Sequence, residues 1–281
     1  MYKTERTKGF TLIEIAIVMI IIALLVGGIV LSRSMIRQAQ VQSVIVDVAT
    51  YTKAISQFQQ KYNALPGDMP NATSFWGANS TASPLTSCSS YYTATTSNTS
   101  TCNGNGDGKI DGGFTNNNTG QYSNEQVVAW KHLSNAGMIA GNYSGLDAGA
   151  PGAINAGVDT PPSKVDGAGF GVMSTLSLWG PNGGGWVFPW TNVTHIIVFG
   201  STNGTIDQGP LGPALTVAEA MNLDQKIDDG IPGTGKVKTP AGGGSGGPWA
   251  PNCATTNVAT TAVYNTSQSG IACSLIFEIG F

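Results

Sequence analysis

Oxygen-bearing side chains stand at alternate positions in one glycine-rich segment of the 281-residue chain, which is the spacing of a calcium-binding loop. The candidate ligands are Asn103, Asn105, Asp107, the carbonyl of Lys109, and Asp111. Phe114 stands at the twelfth loop position, where such a loop carries an acid, so Glu125 would have to complete the ligand set. The pattern predicts a Ca²⁺ site, but a glycine-asparagine turn without metal accounts for the same residues.

A second acidic group, Asp224, Asp228 and Asp229, lies at the end of a predicted helix. Asp224 and Asp228 are four residues apart and therefore share a helix face. Acids at a helix C-terminus oppose the helix dipole but are common on surfaces. We expect these residues to solvate the helix end, with cation binding as the alternative.

Candidate catalytic residues are few. His132 falls in a predicted helix and His195 in a predicted strand, where a structural or surface role is expected rather than that of a base. Residues 243–247 read Gly-Gly-Ser-Gly-Gly, which matches a nucleophile elbow only as a string, because no strand precedes it and no helix follows. The glycines of residues 104–108 likewise lack the strand-loop-helix context of a nucleotide site. We expect no enzymatic activity and no organic cofactor.

The composition is typical of an exported protein. Charged residues make up only 10% of the chain, which also contains 38 glycines, whereas about a quarter of the residues of an ordinary soluble protein are charged. The net charge is −3, and basic residues do not cluster beyond the N-terminus. Nucleic-acid binding is therefore not expected.

A single carboxylate lies inside a long apolar segment. Residues 10–31 contain no charge except Glu14 and would form about 33 Å of helix, enough to span a bilayer. A carboxylate in hydrocarbon costs several kcal/mol unless a partner neutralises it. Lys3, Arg6 and Lys8 precede the segment, which predicts a cytoplasmic leader and an outward-facing remainder.

The string Gly9-Phe10-Thr11-Leu12-Ile13-Glu14, placed after a basic leader, resembles the prepilin motif shared by type IV pilins and type II secretion pseudopilins. The resemblance implies that a prepilin peptidase cuts between Gly9 and Phe10 and methylates the new Phe10 amine. It also implies that Glu14 meets the Phe10 amine of a neighbouring subunit, and that assembly uses an inner-membrane platform. An opposite charge at contact makes a buried carboxylate tolerable.

These features predict a filament subunit of the type IV pilin class, minor or specialised because of its large domain. The alternative is a pseudopilin of a type II secretion system, and a third possibility is a membrane-tethered glycan-binding or hydrolytic surface protein. Before assembly, we expect the protein to lie in the bacterial inner membrane with its C-terminus in the periplasm. A periplasmic filament or an extracellular pilus follows after assembly.

The predicted organisation is a leader peptide (residues 1–9), a transmembrane and filament-core helix (10–31), an amphipathic continuation of that helix (32–62) and an exported globular domain (63–281). In the continuation, apolar residues recur every three to four positions, which indicates one buried helix face. This stripe comprises Val41, Val44, Ile45, Val48, Tyr51, Ile55, Phe58 and Tyr62.

The exported region combines predicted helices and strands. Capping-box spacings at residues 123–126 and 216–219 predict two helix starts. β-branched and aromatic residues predict strands at 170–179, 193–199 and 271–281. We therefore predict an α+β fold in which an antiparallel sheet packs on the amphipathic half of the long helix.

The four cysteines, Cys88, Cys102, Cys253 and Cys273, indicate disulfides in an exported protein. Three connectivities are possible. We favour the pairs closest in sequence, Cys88 with Cys102 and Cys253 with Cys273, because nearby ends meet more readily. Each bridge would stabilise the fold by about 3 kcal/mol.

Overall fold

The computed structural model describes residues 9–78, 99–112, 125–145, 154–175, 188, 194–202, 209–240 and 252–280. The chain divides into two compact units, Met1–Gln40 and Val41–Phe281. Helix α1 (Leu12–Tyr62) begins in the first unit and ends in the second.

In the first unit, the apolar side chains of α1 are exposed. They include Leu12, Ile13, Leu24 and Leu31, each more than 60% exposed. The helix is long and apolar enough to cross a membrane, judged by length and composition. An apolar surface of this length is stable only against lipid or other apolar helices.

In the second unit, α1 is amphipathic, as its sequence predicts. Val44, Ile55 and Phe58 are fully buried, and Tyr51 and Tyr62 pack against the core while partly exposed. The predicted stripe is confirmed, because one face of this part of α1 supplies a wall of the core.

Three shorter helices are described: α2 (Ala72–Trp76), α3 (Glu125–Asn135) and α4 (Val217–Ile227). The predicted capping box of α4 is confirmed, since the Glu219 N–H donates to Thr216 Oγ1 and the Thr216 N–H donates to the Glu219 carboxylate. The other predicted cap begins at Ser123, which lies outside the described residues. Helix α2 was not predicted, because five residues are too few for a periodic signal.

Within the described residues, six strands form two antiparallel sheets. They are β1 (Ala168–Ser174), β2 (His195–Ser201), β3 (Leu215–Thr216), β4 (Val237–Lys238), β5 (Ile271–Cys273) and β6 (Leu275–Ile279). The larger sheet has the order β1-β2-β6-β4, and β3 pairs with β5 in the smaller one. The α+β prediction is confirmed.

The single strand predicted at residues 271–281 is wrong in one respect, because the structure divides it at Ser274. Cys273 pairs with Leu215 in the small sheet, whereas Phe277 pairs with Ile197 in the large one. The chain changes partners within two residues, and the apolar pattern does not encode that change. Leu275, Phe277 and Ile279 are all buried in the main core, as predicted.

The predicted disulfide between Cys253 and Cys273 is present and anchors the end of β5. Cys102 is also disulfide-bonded, while its predicted partner Cys88 lies outside the described residues.

Aromatic rings connect α1 to the rest of the second unit. The Tyr51 ring packs edge-to-face on Trp130 of α3 at 5.1 Å and on Phe170 of β1 at 5.2 Å. Such pairs add about 0.5–1.5 kcal/mol each beyond the area they bury. The amphipathic part of α1 is thereby fixed against both a helix and the large sheet.

Candidate functional site

The apolar N-terminal segment begins with a local hydrogen-bonded cap. The Thr11 N–H donates to Glu14 Oε2 at 2.7 Å, Thr11 Oγ1 donates to the same oxygen at 2.8 Å, and the Glu14 N–H donates back to Thr11 Oγ1 at 3.3 Å. This is a capping box. No role was predicted for Thr11, although its Thr-x-x-Glu spacing is the sequence signal of such a cap.

The cap turns the Glu14 carboxylate towards the start of the helix. Phe10, just before the cap, is 84% exposed, and a Cβ placed on Gly9 would meet no atom within 4 Å. The Gly9–Phe10 peptide bond is therefore not enclosed by the described part of the chain. The fold itself makes no demand for glycine at position 9.

A turn after α1 organises the glycine-rich loop of residues 103–111 through Asp68. Asp68 Oδ1 accepts the N–H groups of Gly106 at 2.6 Å and Asp107 at 3.1 Å, and Oδ2 accepts the Gly108 N–H at 2.9 Å. Gly106 and Gly108 have φ values of +75° and +82°, which favour glycine. A Cβ on Gly104 would collide with the backbone of Asp68, so the close approach also requires glycine.

Glu125, the first residue of α3, holds the loop from its other side. Its Oε1 accepts the Asn105 N–H at 3.0 Å and its Oε2 accepts the Asp111 N–H at 2.9 Å. Burial raises the pKa of this carboxyl to about 8; these hydrogen bonds lower the pKa, whereas the charges of Asp68 and Asp111 raise it. The predicted remote ligand therefore reaches the loop, with its oxygens directed at backbone N–H groups.

The side-chain oxygens of other predicted ligands accept hydrogen bonds from backbone N–H groups, mainly in turns of the loop. Asn105 Oδ1 accepts the Asp107 N–H, and Asp107 Oδ1 accepts the Lys109 N–H, both at 2.9 Å. Asn103 Oδ1 instead accepts the Thr73 N–H of α2 at 2.9 Å. The structure thus places Glu125 against the loop of residues 103–111, and calcium binding there stays a prediction.

The role of Asp68 in holding this loop was not predicted from the sequence. Its signal in the sequence was the Leu-Pro-Gly-Asp turn of residues 65–68, which indicates a turn but not a partner 38 to 40 residues away.

His132 is a structural residue, as predicted. It is fully buried, its Nδ1 accepts the Gly67 N–H at 2.9 Å, and Nε2 lies 2.9 Å from Thr101 Oγ1. The ring stacks on Phe58 at 6.1 Å between centroids. Because Nδ1 is an acceptor, the neutral ring carries its proton on Nε2. Burial lowers the pKa of His132 to about 3. A hydrogen bond to the Cys102 backbone has the opposite, smaller effect and raises the pKa.

We expect the His132→Gln variant to lose part of the acid sensitivity of the protein. A histidine whose folded pKa lies below its unfolded value of about 6.5 stabilises the fold fully above pH 6.5, and this stability is lost as pH falls towards 3. The loss amounts to about 1.4 kcal/mol per pH unit below 6.5. Denaturant unfolding of the full chain in detergent between pH 7 and 4 measures it. Identical slopes for the variant and the unmodified protein would contradict the assignment.

His195 is the first residue of β2 and lines a cavity of about 280 Å³ together with Asp68, Gly106 and Gly108. The described residues lining this cavity include no serine, threonine or cysteine. The Asp68 carboxylate in this cavity already accepts hydrogen bonds from three backbone N–H groups.

The Gly-Gly-Ser-Gly-Gly string at 243–247 lies outside the described residues.

Comparison with known proteins identifies the N-terminal segment. Residues 6–30 match the prokaryotic N-terminal methylation motif, the prepilin-type signature of type IV pilins and pseudopilins. No curated protein and no solved structure matches the chain. The motif confirms the resemblance and implies processing by a prepilin peptidase and assembly with other pilin-type subunits. The motif and the apolar helix fit membrane anchoring.

Proposed function

We propose that this protein is a filament subunit of the type IV pilin class, cut after Gly9 and assembled through α1. The observation that carries the proposal is the methylation motif at residues 6–30, with Glu14 as the only charge in residues 10–31. The exposed apolar surface of the first unit supports it, since lipid covers such a surface before assembly and neighbouring helices cover it afterwards.

In this proposal, Glu14 determines how neighbouring subunits align along the filament. Cleavage creates a charged amine on Phe10, and both this amine and the Glu14 carboxylate enter an apolar filament core. Each charge alone would cost several kcal/mol there, whereas a contact between subunits satisfies both. The capping box supports the idea, because it already orients Glu14 towards the N-terminal end of the helix.

The basic leader supports an orientation in which residues 1–9 are cytoplasmic and the second unit is periplasmic before assembly. After assembly the subunit belongs to a surface pilus. We favour a pilus, in which this chain is a minor or specialised subunit, because of the size of the exported region. A pseudopilin of a type II secretion system is the second candidate, and the same motif supports it.

Deletion of the gene in its native cell separates the two candidates. A pilus subunit predicts loss or shortening of surface fibres, or loss of twitching, with exported enzymes still reaching the medium. Retention of exported enzymes in the periplasm, with surface fibres intact, would replace the pilus proposal by the pseudopilin. Complementation with the unmodified gene is the control.

We propose a structural rather than an enzymatic role for the second unit. His132 is neutral and enclosed, and Asp68 holds a loop. A glycan-binding surface protein is the competing class, argued from the six tryptophans. Trp130 is fully buried and Trp76 packs among aromatic rings, which supports core packing for these two. Specific binding of the purified protein to a glycan array would favour the competing class.

A further inference from the structure

Three carboxylates meet where α4 ends. One oxygen each of Asp224, Asp228 and Asp229 lies within 4.8 Å of the other two. Calcium binds oxygens at about 2.3–2.6 Å, so two ligands of one ion lie at most about twice that distance apart. The observed spacing therefore fits a single ion. The expectation that all three residues solvate the helix end is wrong for Asp224, which is in the core.

Asp224 carries the observation that points to a ligand. Its side chain is 0% exposed, and Tyr264 Oη donates to its Oδ2 at 2.9 Å. Its Oδ1 accepts no hydrogen bond of ordinary distance and angle within the described part of the chain. Burial raises the pKa of this carboxyl to about 7, whereas hydrogen bonding to Tyr264 and to the Gly230 N–H lowers it. A buried carboxylate oxygen without a donor is costly, because it has lost its hydration without replacement. A cation would supply the missing partner.

The other two carboxylates are held in place by the chain. Asp228 Oδ2 accepts the backbone N–H groups of Lys236 and Val237, and Asp229 Oδ1 accepts the Ile231 N–H at 2.8 Å. Together with the Tyr264 hydroxyl, these donors have the role of outer-shell groups that orient metal ligands. The carboxylates are thus positioned before any ion binds.

Lys238 is a described cation that interacts with this cluster. Lys238, a largely buried residue of β4, interacts electrostatically with Glu278 as well as with Asp229 and Asp228. This one ammonium group is thus shared among three carboxylates, and Asp224 adds a fourth acidic group to the neighbourhood. The excess of acid is what a divalent cation would offset.

We propose that Asp224, Asp228 and Asp229 bind one Ca²⁺ ion, with Asp224 Oδ1 as the buried ligand. The ion links the end of α4 to the turn that leads into β4. Through the Tyr264 hydroxyl it also fixes the segment between Cys253 and β5. The site is separate from the N-terminal motif and does not depend on the filament role.

Calorimetric titration of the full-length mature protein with CaCl₂, in detergent and after EDTA treatment, tests the site. We expect a binding step that Asp224→Asn and Asp229→Asn each weaken about 10-fold or more, because each removes a charged ligand. Asp229 is exposed, so its variant tests the site even if the buried Asp224→Asn variant misfolds. Asp166→Asn makes the same chemical change at an exposed residue elsewhere and serves as the matched control.

Two results would overturn the proposal. One is an affinity in the Asp229→Asn variant equal to that of the unmodified protein. The other is a binding step that only Asp107→Asn removes, which would assign calcium to the loop of residues 103–111 instead. A step that survives Asp166→Asn and Asp107→Asn but weakens in the two cluster variants supports the site.

Discussion

The Glu14→Ala variant is expected to be processed and methylated normally but excluded from filaments. Without the carboxylate, the Phe10 amine of an adjacent subunit would be buried in the apolar core with no partner. Removing one member of a buried ion pair costs about 3–5 kcal/mol, which corresponds to at least a 100-fold loss of incorporation. Quantitative immunoblots of sheared filaments against total cell protein measure this loss, and mass spectrometry of the membrane-bound form verifies processing.

Glu14 also belongs to the capping box, so the loss of charge must be separated from the loss of the cap. Thr11→Val removes the hydroxyl that bonds Glu14 but keeps the carboxylate, at a cost of about 1 kcal/mol. Glu14→Gln keeps a hydrogen-bond acceptor but removes the charge. We expect Thr11→Val to assemble and Glu14→Gln to fail. Normal assembly of Glu14→Gln would sink the charge-pairing mechanism.

Replacing Gly9 by a bulky residue such as valine is expected to leave an uncut precursor. The resemblance places the scissile bond directly after this residue, and the methylation motif spans it. Because a Cβ at position 9 would have no described atom within 4 Å, we expect the substitution to leave the fold intact and to act on recognition by the peptidase. The intact mass of the variant should exceed that of the mature protein by the mass of the nine-residue leader. Its N-terminus should carry no methyl group.

Gly27→Ala is the matched control for this experiment. Gly27 lies within α1, and a Cβ there likewise has open space around it. Alanine favours the helix by up to about 1 kcal/mol relative to glycine, so this variant should be cut as usual. Mature protein from the Gly9→Val variant in normal amounts would contradict processing at this position.

Local sequence was sufficient wherever neighbours in the chain interact. The charge at Glu14, the leader before Gly9, the buried stripe of α1 and the capping box of α4 all involve residues within a few positions or turns of one another. Helical periodicity and capping spacing report such relations directly. The disulfide between Cys253 and Cys273 followed from the same preference for short separations.

The tertiary structure alone decided which distant groups meet. Asp68 binds a loop 38 to 40 residues away, His132 accepts a hydrogen bond from Gly67 across 65 residues, and Tyr264 reaches Asp224 across 40. The division of the last strand at Ser274 likewise depends on partners elsewhere in the chain. Long-range contacts depend on how helices and strands pack, because loop closure disfavours each contact until the whole core forms. Residue types and spacing specified the apolar N-terminal helix and its single charge. Packing specified which acids and which histidine are buried, and which donors form hydrogen bonds with them.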